Sequence, residues 1–78
     1  MSTMRERLVD ALAAADALGV GRQVKIEANA MELRRYLSEH PKWTSITLAR
    51  GTEAYSNSNQ TVWVIKRGNS PFMIGREY

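Results

Sequence analysis

The chain has a single histidine, His40, and it is the first place to look for proton-transfer chemistry among these 78 residues. An imidazole that activates Ser38, Ser45 or Tyr36 needs the nucleophile within hydrogen-bond reach and a third group to orient it. No local pattern such as a nucleophile elbow marks that arrangement. His40 instead stands directly before Pro41, where a helix must stop, and an imidazole there serves as a C-terminal cap facing the negative end of the helix dipole. Glu27, Glu32 and Glu39, with one histidine and no cysteine, make no metal-ligand set of recognisable spacing. Gly19-Val20-Gly21 follows a helical segment instead of opening one, so its amides do not form a phosphate cradle. The expectation is a non-enzyme without catalytic, cofactor or metal site.

Binding chemistry has more material. Arg34 and Arg35 are adjacent in one helical segment, Lys42 lies beyond it, and Lys66 and Arg67 end an apolar strand. Guanidinium groups grip phosphates bidentately, and Trp43 or Tyr55 offers a ring on which a base can stack. If the strands flanking residues 68–71 form a hairpin, Lys66 and Arg67 sit at its turn, while Arg76 falls at the far end beside Arg50. Two basic clusters result. The plain alternative is a solvated charged face. The net charge is +3, with nine cations against five acids after residue 21, a modest field that serves solubility as well as nucleic-acid binding. A helix-turn-helix does not fit, because a strand separates the two helical segments.

The stretch TEAYSNSNQ, residues 52–60, is polar and uncharged apart from Glu53. Its length exceeds a two-residue hairpin turn, and it reads as a protruding loop with Tyr55, Asn57 and Asn59 as contact residues. A hairpin connection with no other role is the simpler reading of the same residues.

These residues are positioned by an alternation of helical and strand signals. Thr3-x-x-Glu6 and Asn29-x-x-Glu32 have capping-box spacing. Met4, Leu8, Ala11, Leu12, Ala15 and Leu18 follow the first at helical period, ending at Gly19. Ala30, Leu33, Tyr36 and Leu37 follow the second, ending before Pro41. Gln23–Ala28 alternates with period two, and 45–50, 61–67 and 72–77 read as further strands. Val62-Trp63-Val64-Ile65 is apolar on both faces, as in a strand covered on both sides or covered on one and exposed for contact on the other. The expected fold is a single α+β domain, residues 1–78, in the order αβαβββ, with two helices on a mainly antiparallel four-stranded sheet.

A domain of this size buries only about 60% of its unfolded surface, so its core is small. Without cysteine there is no disulfide framework. No apolar run approaches the roughly 18 residues that span a bilayer, and Asp10 and Asp16 interrupt the first helix in a way a signal-peptide core would not tolerate. A cytoplasmic protein, monomeric or homodimeric, with no membrane partner is expected. In size and composition alone the chain resembles the small cysteine-free intracellular proteins of bacteriophages and mobile elements, many of which occupy a host macromolecule. That resemblance implies a stoichiometric, counter-defence or anti-CRISPR-like inhibitor of a host protein or nucleoprotein complex, and it implies no site residues. The alternative is a small nucleic-acid-binding regulator using Arg34, Arg35, Lys66 and Arg67.

Overall fold

The structure, a computed structural model, describes residues 3–77, and these form two capped helices and five strands. Helix α1, Met4–Leu18, starts where Thr3 Oγ1 accepts the Glu6 amide at 3.2 Å, and ends at Gly19, whose φ of 110° is a conformation other residues rarely adopt. Leu8 and Ala15 are buried along its inner stripe, with Leu12 half-buried beside them. Helix α2, Ala30–Glu39, is capped by Asn29, whose Oδ1 accepts the amides of Met31 at 2.9 Å and Glu32 at 3.4 Å. Leu33 and Leu37, one turn apart, are fully buried.

The strands are β1 (Gln23–Lys25), β2 (Trp43–Thr47), β3 (Thr52–Asn57), β4 (Val62–Arg67) and β5 (Met73–Arg76). They form one sheet in the order β1-β5-β4-β3-β2, with every neighbouring pair antiparallel. Strands β2 to β5 are a meander. Strand β1 closes the far edge against β5, so the chain crosses from one edge to the other through α2. Register places Val24, Ile74, Val64, Tyr55 and Ser45 in one row across the sheet. Leu8, Leu33 and Leu37 meet that row's Tyr55, Val64 and Ile74 in a single core, which puts both helices on the same face. Helix α1 lies over β1 and β5, and α2 over β2.

The two helices, the α+β class and the antiparallel sheet agree with the sequence reading. The sheet has one more strand than expected, and residues 52–60 are its source. Thr52–Asn57 is β3, paired on both sides, and only residues 58–61 turn. Tyr55 is 8% exposed and belongs to the core, so it is no loop contact. Side chains alternate between the two faces here as elsewhere, but Ala54, Tyr55 and Ser56 are buried in succession, and Thr52, Ser56, Glu53 and Asn57 put polar groups on both faces and so mask the alternation. Asn57 shapes the turn: its Oδ1 accepts the Thr61 and Val62 amides at 2.8 and 3.1 Å, and its Nδ2 donates to Thr61 Oγ1 at 2.9 Å. Gln60, at φ 57°, completes it in the left-handed region, with its amide donating to the Asn57 carbonyl at 3.0 Å.

Burial of Tyr55 sets an expected outcome. Tyr55→Ala should lower unfolding free energy by about 3–5 kcal/mol, the range for truncating a core aromatic. A denaturant titration showing less than about 0.5 kcal/mol, the range of a surface change, would return this segment to a loop. Gly75→Ala should also destabilise, by about 1–3 kcal/mol, because a Cβ there runs into the Arg22 carbonyl oxygen.

The open sheet face as a candidate interface

Alternation along each strand sends half the side chains away from the helices. One row on that opposite face reads Lys25, Met73, Ile65, Ala54 and Ile46, and the next reads Gln23, Gly75, Trp63, Ser56 and Thr44. Among the described residues no helix covers these rows. Ala54, Ser56 and Ile65 are nonetheless buried, sheltered by larger neighbours, while Trp63, Met73 and Ile46 are half-buried and carry the accessible apolar surface. The indole of Trp63 stands between the two small residues Ser56 and Gly75. Its Nε1 is buried with no hydrogen-bond partner, so packing alone orients the ring.

Charge on this face is unevenly placed. Lys25 and Arg67 project from it in neighbouring rows, and both are exposed, with Lys25 also lining a depression that Asp10 and Glu27 share. The turns at 48–51 and 68–71 meet at one end, where the Gly68 amide donates to the Gly51 carbonyl at 2.8 Å, and this brings Arg50 to the Arg67 end. Arg50 therefore neighbours Arg67 and lies at the opposite end from Arg76, contrary to the pairing expected from sequence. No carboxylate occurs among the strand residues of the two rows. Glu77, just beyond β5, stands at the corner near Trp63 and Arg22.

The residues singled out from sequence do not assemble into one surface. Lys66 and Arg67 are consecutive in a strand and point to opposite faces. Lys66 faces the helix side and donates to the Gly68 carbonyl. Arg34 donates through Nε and Nη2 to both carboxylate oxygens of Glu53, at 2.9 and 2.8 Å, and ties α2 to β3. That hydrogen bonding, then the charge of Glu53, raises the Arg34 pKa above its ordinary value. Arg35 pairs with Glu39 at 3.0 Å along the exposed side of α2. Asn59 is an exposed turn residue, and Asn57 uses its amide inside the hairpin. Of the seven, Arg67 is on the open face. Arg76 pairs with Asp16 at 2.9 Å and is raised in pKa by it.

The histidine sits as the sequence places it. His40 follows the last turn of α2, its Nδ1 lies 2.8 Å from the Tyr36 carbonyl, and its ring stacks on Tyr36 at 3.8 Å between centroids. A carbonyl oxygen only accepts, so Nδ1 carries the proton. Among the described residues no three histidine, aspartate or glutamate side chains gather to hold a metal ion, and no helix is long and apolar enough to cross a membrane. Trp43 is half-buried and lines a groove between α1 and the β3–β4 hairpin, with Arg5 and Lys42 also lining it. It faces the helices and not the open side.

The open face had one sequence signal, the two-sided apolar run at Val62–Ile65, whose Trp63 and Ile65 supply its centre. The cations Lys25 and Arg67 gather around it only through strand pairing. No protein-family model matches the chain, and neither a curated protein nor a solved structure does.

Proposed function

We propose that this protein is a non-catalytic binding protein that acts stoichiometrically, occupying a macromolecular partner with the open face of its sheet. The observation that carries this reading is an uncovered face with an apolar centre at Trp63, Met73 and Ile46, bordered by Lys25 and Arg67 and free of strand carboxylates. Such a face complements a partner that presents apolar groups among acidic ones. Small size, absence of cysteine and the compositional resemblance to phage and mobile-element proteins favour a host protein or nucleoprotein complex as that partner, with inhibition by occupancy as the mechanism.

Nucleic acid is the second reading, and Trp63 favours it, since a partly accessible indole on a face bordered by cations is a stacking platform for single strands. The route through α2 has less support. Arg34 and Arg35 are each committed to a carboxylate, and Lys66 to a backbone carbonyl.

One pair of variants tests both. Lys25→Glu with Arg67→Glu should abolish stoichiometric capture of a nuclease-resistant host protein and leave the melting temperature nearly constant, because both side chains are exposed. Arg34→Ala with Arg35→Ala should retain capture. The reverse pattern removes the open face from the interface. If the captured material disappears on nuclease treatment, a labelled single-stranded oligonucleotide replaces the lysate. Binding should then weaken with salt at a slope of about 0.7 per phosphate contact, and the slope should flatten in the Lys25/Arg67 variant.

A further inference from the structure

The two edges of the sheet are unequal. Strand β1 has three residues, one of them Lys25, and the chain beyond it stays tied to β5's leading segment through the Ile26 amide and the Phe72 carbonyl at 2.9 Å. Strand β2 has five residues, Trp-Thr-Ser-Ile-Thr, without charge or proline. It pairs with β3 in unbroken register from Trp43↔Asn57 to Thr47↔Glu53, so no bulge bends it away. Short length, charge, proline and bulges are the devices that keep an edge from pairing. The β2 edge has none of the last three.

We propose that β2 is a self-association edge, where a second copy of this chain pairs antiparallel about a two-fold axis at Ser45 and the two sheets become continuous. This goes beyond the reading of the open face and does not rest on it. In that register Trp43 stands opposite Thr47 of the second copy, and Thr44 opposite its Ile46. Aromatic and β-branched partners meet, and no like charges are opposed. Helix α2 lies over β2 and adds to the contact. Tyr36 packs toward α1, in a depression shared with Met4 and Val9, so the opposite flank of α2 faces the free edge. Arg34, Ser38 and Met31 share that flank by helical spacing, and Met31 is 75% exposed, the most exposed large apolar residue described. Edge pairing alone falls short of the roughly 1,000 Å² that a stable interface needs. The α2 flank adds to that area, and the dimer is of modest affinity.

The cysteine-free sequence permits a clean test by single cysteines. Ser45→Cys places two thiols across the axis at the Cα separation a disulfide accepts, roughly 4.4–6.8 Å. It should cross-link to a species of twice 8.8 kDa under mild oxidation. Thr44→Cys mixed with Ile46→Cys should cross-link to each other in preference to themselves. Ser45→Lys opposes two ammonium groups and should raise the dimer dissociation constant at least about tenfold, by the cross-strand repulsion of like charges. Its monomer should melt as before, because Ser45 is exposed. A wild-type mass of 8.8 kDa in sedimentation at about 100 µM, well above micromolar dissociation constants, overturns the proposal. So does a dimer unaffected by Ser45→Lys. If β2 amides of a monomeric protein become protected from hydrogen exchange only when another protein is added, the edge takes a foreign strand and the second copy is excluded.

Discussion

Two helices have to serve a sheet of five strands, and the rest of the structure follows from that shortage. Five strands spaced about 4.8 Å apart present a face about 20 Å wide, and two helices packed about 10 Å apart cover one such face and no more. Both helices lie on the face where Leu8, Leu33 and Leu37 close over Tyr55, Val64 and Ile74. The other face must then survive in contact with water. It does so by holding its small and central residues, Ala54, Ser56 and Ile65, under the larger ones around them. The surface left over, centred on Trp63, is a departure from a purely polar exterior that the strand alternation creates.

The same constraint explains how the charges are distributed. On the helix side, carboxylates and cations meet across elements, Arg34 with Glu53 and Arg76 with Asp16, and these pairs fasten each helix to the sheet. Their acidic members lie on the helix side, Glu53 by strand parity and Asp16 on α1. Lys25 and Arg67 remain there without strand carboxylates for company. A net charge of +3 spread over the whole molecule says little. Sorting by strand parity turns it into a directional property, because consecutive residues such as Lys66 and Arg67 are sent to opposite sides.

Legibility in the sequence tracked how far a segment's two faces differed in polarity. The helices were plain because Thr3 and Asn29 cap them and because Leu33 and Leu37 repeat on one stripe. Strand β4 was plain because apolar residues dominate both its faces. Strand β3 was hidden: Glu53 reaches the helix side only to meet Arg34, and Asn57 only to hold its own turn. Both polar residues are satisfied by partners distant in sequence or tucked into the hairpin, and a single sequence does not display those partners. Tyr55 was correspondingly mistaken for a loop contact, although a tyrosine flanked by Ala54 and Ser56 has strand propensity of its own. The candidate interface was half visible for the same reason. Trp63 and Ile65 could be read as two-sided, but Lys25 joins their face only after β1 takes its place beside β5.

Open face and free edge meet at Ile46, which belongs to the row of Ile65 and Met73 and also to the unpaired strand β2. Any strand that pairs with β2 extends that row by its own alternate side chains, since twist and register carry the face across the new pair. A second copy arriving there about Ser45 would present its Thr44 beside Ile46 and continue that row with its own Ser56 and Trp63. On the proposed readings, self-pairing therefore enlarges the very surface that receives the partner and sets two Trp63 rings on one continuous face. Binding at that face would then favour the paired state by mass action, because a partner spanning both halves gains contacts only when they are joined.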